Sequence, residues 1–310
     1  MFMIIDGRKF SQEYTNKVLK PRCEVIKGKY SKAPKISTIL VGEDPASESY
    51  RRIREKFFAN LCVESDVLQL PEETTEEELL DIIDKQNNDD SINGILVQLP
   101  LPKHMNEDRV IESISLNKDI EGLSPGNVHA WTKSSPNLIP ATALGVLALL
   151  KHYKIPLHGK HAVVVGRSMI VGKPVVHLLL REHATVTICH SRSKPLEKYT
   201  READILIAAV GRPHLIRKGM VKEDVVIIDV GVNFEDGKLM GDVDFDDLKD
   251  DVAYISPVPG GSGPATVCML ASNLLLAFEL KHAKDDLNLQ KCIREHYADY
   301  EAKGDKNPCI

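Results

Sequence analysis

Two hydrophobic rhythms alternate along the chain. Short runs of β-branched and aliphatic residues recur at 35–42 (KISTILVG), 93–100 (NGILVQLP), 161–166 (HAVVVG), 184–191 (ATVTICHS), 203–211 (ADILIAAVG) and 224–231 (DVVIIDVG). Between several of them lie helical patterns, such as 74–88 (TTEEELLDIIDKQNN) and 171–183 (VGKPVVHLLLREH). Continuous apolar strands separated by helices predict an α/β fold with parallel sheets covered on both faces. TTEE at 74–77 reads as a capping box opening its helix.

The rhythm breaks at 131–140 (WTKSSPNLIP), a polar, proline-bearing stretch that marks a domain boundary, with Trp131 as a packing residue. A helix over 142–154 leads into the second half. The run 265–281 (ATVCMLASNLLLAFELK) is apolar enough for a buried helix that returns across the domain junction. The expected organisation is therefore an N-terminal α/β domain over 1–140, completed by 265–282, and a second domain over 141–264. The charged segment 283–310 is expected to be a loosely docked tail.

Composition narrows the class. At 310 residues the chain has room for two cores, and its 43% hydrophobic and 27% charged content is ordinary for a soluble protein. A net charge of −5 argues against general nucleic-acid binding, which needs a basic surface. Six cysteines lie scattered without CxxC or metal-ligand spacing, which fits reduced thiols, a cytoplasmic setting and no metal. The start lacks the apolar stretch of a signal peptide, and no apolar run approaches the length of a membrane span. The histidines show no partner in sequence and are assigned no catalytic role.

The first candidate chemistry lies at 161–174 (HAVVVGRSMIVGKP), read as strand, tight turn and helix, with Gly166 closing the strand and Gly172 in the first helical turn. Glycine lets a phosphate approach the backbone, and a helix N-terminus offers free N–H groups. The strict GxGxxG pattern is absent, since Ser168 holds the second glycine's place. The following strand ends in His190, Ser191 and Arg192, with no acidic residue to hold a ribose 2′-hydroxyl. Arg167, Arg192 and Ser191 instead suit a 2′-phosphate, so NADP is expected over NAD.

The second candidate is 47–57 (SESYRRIREKF), where Tyr50 and Arg54 stand one helical turn apart on one face. This stretch, with GILVQLPLP, NKDIEGLSPGN, GRSMIVGKP, ATVTICHS, GDVDF and PVPGGSGP in order, closely resembles the FolD family of methylenetetrahydrofolate dehydrogenase/methenyltetrahydrofolate cyclohydrolases. The resemblance runs from IIDGRKF to about residue 282. It implies an N-terminal folate-binding domain, a C-terminal Rossmann-like NADP-binding domain, folate in the cleft between them, and a homodimer. It further implies that Tyr50 stacks along the folate and that Gln98 stands beside the catalytic lysine position. Leu99 and Glu121 would complete the folate contacts, and the loop Pro257, Val258, Pro259, Gly260 and Gly261 would close over the substrate. Gly166, Arg167, Ser168, Ser191 and Val232 match the family's NADP contacts.

The departures matter as much. Arg54 replaces the family's lysine, and Lys56 cannot substitute, since two residues along a helix turn a side chain roughly 200° away. Glu121 replaces an aspartate, PATA stands at 140–143, and GGSGPAT at 260–266. Hydride transfer needs geometry, whereas hydrolysis of the methenyl cation needs a group that exchanges protons. Arginine stays protonated. The expectation is thus an NADP-dependent dehydrogenase in one-carbon metabolism with weak or lost cyclohydrolase activity. A fully bifunctional enzyme and a folate-binding paralogue with little turnover are the alternatives. A dehydrogenase for amino or hydroxy acids would share the layout but has no reason to carry QLPLP and PVPGG.

Overall fold

The computed structural model describes residues 3–43, 45–133, 138–235 and 237–283, the side chains of 45–50 excepted. Apart from Ala283, the expected tail therefore lies outside the described residues, as does the middle of the expected boundary. Eleven strands are described: β1 (Met3–Ile4), β2 (Lys35–Val41), β3 (Glu64–Leu70), β4 (Gly94–Val97), β5 (His161–Val165), β6 (Thr185–Cys189), β7 (Ile205–Ala208), β8 (Val226–Asp229), β9 (Asn233–Glu235), β10 (Lys238–Met240) and β11 (Tyr254–Ile255).

The chain divides into two compact units, Met1–Glu13 with Thr142–Met269, and Tyr14–Ala141 with Leu270–Ile310. The first thirteen residues, expected with the N-terminal domain, thus join the unit that carries most of the C-terminal half. The reason is that β1 pairs in parallel with β11, Met3 opposite Tyr254 and Ile4 opposite Ile255.

The first unit is built on a six-stranded sheet in the order β1-β11-β8-β7-β5-β6, parallel throughout. β5, β7 and β8 read as unbroken apolar runs because both faces are covered, whereas β1 and β6 at the two edges are largely exposed or half-buried. Val163, Leu206 and Ile227 fall opposite one another on three neighbouring strands and enter one core cluster with Val165, Ala208 and Ile255. Helix Gly172–Arg181 buries Val175, Leu178 and Leu179. The hairpin β9–β10 stands apart from this sheet.

The second unit has a three-stranded parallel sheet in the order β3-β2-β4. Ile39, Ile95 and Val97 from the sheet meet Leu79 and Ile83 of helix Glu76–Asn88. That helix opens one residue later than the sequence suggested. Thr75, not Thr74, accepts from the Glu78 N–H, and the Glu78 carboxylate accepts from the Thr75 N–H at 2.8 Å. Thr74 is buried, and its carbonyl contacts the His104 ring instead.

Strand β3 had no expectation because its pattern is polar and mostly exposed, yet all seven of its residues pair with β2. Backbone pairing at a sheet edge demands no apolar side chain. Helix Ser262–His282 is long and apolar enough to cross a membrane by length and composition, which the run lengths in the sequence did not suggest. However, 72% of its apolar window is buried inside the protein.

Candidate active site

In the second unit, helix Pro45–Ala59 carries Tyr50 and Arg54. The side chain of Tyr50 lies outside the described residues. Arg54 is 1% exposed, among the largest fully buried side chains, while Lys56 two residues on faces solvent. Arg51 is drawn aside by Glu55 at 2.6 Å. The helical period thus separates one buried guanidinium from an otherwise solvated basic face.

Arg54 donates from Nη1 to Oε1 of Gln98 at 3.2 Å. Gln98 follows β4 directly and donates from Nε2 to the carbonyl of its neighbour Leu99 at 2.9 Å. The Gln98 N–H donates to the carbonyl of Ile39, so the amide is anchored at the end of the sheet. This two-point hold fixes the Gln98 side chain with its oxygen toward the charge and its nitrogen away.

Glu121 belongs to the turn that follows the parallel bridge between Ile95 and Asp119. Its carboxyl lies near Arg54 and Asp119. Burial pushes it up to about 7, Arg54 pulls it back, and Asp119 pushes it further up. Asp119, 1% exposed, accepts from the Ser124 N–H at 2.7 Å and the Asn127 side-chain amide at 2.9 Å. It is a structural carboxylate that sequence reading passed over, although it stands two residues before Glu121 in the same motif.

The first unit supplies the second cluster. Val165 pairs with Cys189, so Arg167 and Ser191 emerge at the carboxyl ends of adjacent parallel strands. Arg167, Ser191 and Arg192 are all exposed, and neither arginine forms an ion pair among the described residues. The backbone N–H of Arg192 donates to the His190 ring at 3.2 Å, which shapes the loop. Ser168 Oγ accepts from the N–H groups of Val171 and Gly172 at 3.2 and 3.4 Å. Ser168 therefore caps the helix start, and the N–H groups of Ser168, Met169 and Ile170 have no protein acceptor among the described residues.

A side chain on Gly172 would collide with the carbonyl of Gly166, which itself sits at φ +126°. The turn and the helix thus touch backbone to backbone. A cradle this tight, with open N–H groups and free guanidiniums, fits a dinucleotide's phosphates. Val232, at the start of the β9–β10 excursion, is 67% exposed.

The loop Pro257 to Gly261 belongs to the same unit and is pinned from below. The N–H of Gly7 donates to the carbonyl of Gly260 at 2.8 Å, and any side chain at Gly7 would strike Gly261. The carboxylate of Asp6 caps the helix that begins there, accepting from Arg8 and Lys9. Ser256, just before the loop, accepts from the Asp229 N–H at 2.8 Å, and Ser262, just after it, donates to the Asp229 carbonyl at 2.9 Å.

Two buried carboxylates hold the neighbouring loops. Asp229 accepts from the N–H groups of Gly231, Asp242 and Val243 at 2.9–3.1 Å. Burial nevertheless pushes its carboxyl up to about 7, against the pull of those three donors. Asp242 accepts from the N–H groups of Val210, Gly211 and Arg212, and from the Asn233 side chain. Sequence reading quoted GDVDF without assigning Asp242 a task. Its three backbone partners lie 30 to 32 residues away along the chain, where no local pattern links them to it. Among the described residues no group of three or more His, Cys, Asp or Glu could hold a metal ion.

An all-parallel sheet with a phosphate cradle at its strand ends, in a chain whose other unit buries an arginine–glutamine pair, defines a two-unit α/β dehydrogenase. Two family models give the particular kind. Residues 5–121 match the catalytic domain of tetrahydrofolate dehydrogenase/cyclohydrolase, and residues 140–282 match its NAD(P)-binding domain. The chain belongs to the tetrahydrofolate dehydrogenase/cyclohydrolase family.

Similar proteins agree. The bifunctional protein FolD of Exiguobacterium sibiricum is 50% identical over 278 residues, 89% of this chain and 99% of that one. The bifunctional FolD of Campylobacter jejuni superposes with a TM-score of 0.86 at 42% identity, covering 93% of this chain and all of that one. FolD of Trypanosoma brucei, solved with NADP and an inhibitor, has a TM-score of 0.86 at 35% identity over 91% of this chain and 98% of that one. The expectation of weak or lost hydrolysis draws no support from these relatives, which carry the bifunctional name.

Proposed function

We propose that this protein oxidises 5,10-methylenetetrahydrofolate to 5,10-methenyltetrahydrofolate with NADP, and hydrolyses the product to 10-formyltetrahydrofolate. The observation that carries this reading is the buried Arg54 guanidinium held on the Gln98 side chain. It keeps a positive charge and an oriented amide where the family places lysine and glutamine. Tyr50, Leu99 and Glu121 complete the folate contacts, and the loop Pro257, Val258, Pro259, Gly260 and Gly261 closes on the substrate. When bound, NADP supplies the hydride acceptor; the protein supplies only orientation.

NADP is preferred because Arg167 and Arg192 stand free at the ends of β5 and β6, and Ser191 takes the place of an acid. Gly166 and Ser168 shape the turn for the pyrophosphate, and Val232 borders it. A homodimer in the cytoplasm is the working assembly; the exposed edge of β3 offers a strand-length pairing surface.

The test follows NADPH and methenyltetrahydrofolate together in one reaction with purified protein. The expected result is NADPH formation with methenyl product that fails to accumulate and formyl product that appears at a matching rate. Methenyltetrahydrofolate accumulating at the full rate of NADPH formation would show a dehydrogenase whose Arg54 has abolished hydrolysis. No NADPH at all would show a binding protein.

A further inference from the structure

The phosphate cradle stands where its sheet changes direction. β5, which ends in the Gly166 turn, has β6 on one side and β7 on the other. The chain runs from β5 to its neighbour β6 and then returns across β5 to β7, so the strand order reverses there. In open α/β sheets a ligand crosses the strand ends at such a point. The groups that suit the 2′-phosphate, Ser191 and Arg192, follow β6. That phosphate belongs to the adenosine half of the dinucleotide, so the diphosphate runs from the Gly166 turn toward the end of β7.

The chain leaving β7 is tightly held. The Ala209 N–H donates to the Val165 carbonyl at 2.8 Å, and a side chain on Gly166 would meet the Ala209 carbonyl at 2.1 Å. The Gly166 turn therefore rests directly on the backbone that leaves β7. Asp242, fully buried, accepts from the N–H groups of Val210 at 2.6 Å, Gly211 at 3.1 Å and Arg212 at 2.7 Å. Gly211 turns the chain at φ +66°, and Pro213 biases Arg212 toward extended backbone. Arg212 is exposed, and its guanidinium has no ion pair or hydrogen bond among the described residues. A buried carboxylate thus fixes the backbone of a residue whose own charge the protein leaves unused.

We propose that Arg212 binds the diphosphate of the dinucleotide, from the side of the Gly166 turn opposite Arg192. The inference deepens the NADP reading above and rests on it. A guanidinium presents a planar fork of N–H donors that matches two phosphate oxygens. The turn contributes the N–H groups of Ser168, Met169 and Ile170, and Arg212 adds a full positive charge that backbone dipoles do not carry. The two flanking arginines then have different tasks. Arg192 answers to the phosphate that distinguishes NADP from NAD, whereas Arg212 answers to a group that both cofactors share.

Two further cations border the cradle. Arg167 emerges from the turn itself, beside Ser191. Lys173 lies in the first turn of helix Gly172–Arg181, with its N–H on the Ser168 carbonyl and its side chain exposed. Lys173 is therefore the competing source of charge for the diphosphate, and it enters the test.

The test measures NADP affinity by titration calorimetry and records the phosphorus NMR spectrum of bound NADP, in which the 2′-phosphate and the diphosphate resonate separately. The unmodified protein is compared with Arg212→Gln, Arg212→Lys, Arg192→Gln and Lys173→Gln. Arg212→Gln keeps its backbone N–H on Asp242. It should lower NADP affinity about tenfold, the worth of one charged hydrogen bond, and move the diphosphate resonances while the 2′-phosphate resonance stays. Arg212→Lys should recover part of that affinity. Arg192→Gln should move the 2′-phosphate resonance and spare the diphosphate. An unchanged affinity in Arg212→Gln, a shift confined to the 2′-phosphate, or a diphosphate shift produced by Lys173→Gln but not by Arg212→Gln would each overturn the assignment. An unmodified protein that binds no NADP would instead overturn the NADP reading, and this assignment with it.

Discussion

At the scale of single residues, helical geometry explains why one arginine of a basic stretch is unlike its neighbours. Arg51 and Arg54 share a helix and differ by less than one turn, yet Arg51 is held by Glu55 while Arg54 is buried against Gln98. Arg54→Met should therefore act twice. It removes the donor to Gln98, and it removes the one positive charge that pulls Glu121 down. Since that charge favours the carboxylate, its loss raises the Glu121 pKa further. Difference infrared titration of that carboxyl checks the sign; an unchanged or lower pKa in the variant contradicts it. Periodicity alone separated Arg54 from Lys56 in the sequence. Asp119, Asp229 and Asp242 were not legible there, because their work is to accept from backbone N–H groups, which every residue but proline possesses and no pattern reveals.

Elements show a similar division. Strands β2, β4, β5, β7 and β8 declared themselves as apolar runs, being buried along almost their whole length, while the edge strand β6 did so through its β-branched residues although it is largely exposed or half-buried. β3 lies at an edge, β1 and β11 are two residues each, and β9 and β10 form an exposed hairpin, so none had a hydrophobic signature. Two element-level consequences can be measured. Gly172→Ala places a methyl where the Gly166 carbonyl already sits. Overpacking of this kind costs about 1–3 kcal/mol, so NADPH affinity should drop about tenfold or more in a titration calorimeter. Asp242→Ala strands the N–H groups of Val210, Gly211 and Arg212 and the Asn233 amide. At about 1 kcal/mol or more for each stranded donor, urea denaturation should show a loss of roughly 3 kcal/mol or more.

Over the whole molecule, the division into units does not follow the order of the chain. It passes from one unit to the other at 13/14, 141/142 and 269/270, and each of these points falls within or against helical structure rather than a loose linker. A single cooperative unfolding transition is expected in calorimetry. NADPH at about a hundred times its Kd should move that whole transition, stabilising the protein by about 2.7 kcal/mol. Two transitions, only one of which shifts, would contradict it.

The pairing of β1 with β11 also sets the order of events during synthesis. Met3 and Ile4 are made some 250 residues before Tyr254 and Ile255, their partners. Contacts this distant along the chain are slow to close and come late. The segment around Met3 must therefore wait, unpaired, until its partner strand has been made, and a chaperone that shields it in the meantime would have its longest occupancy there.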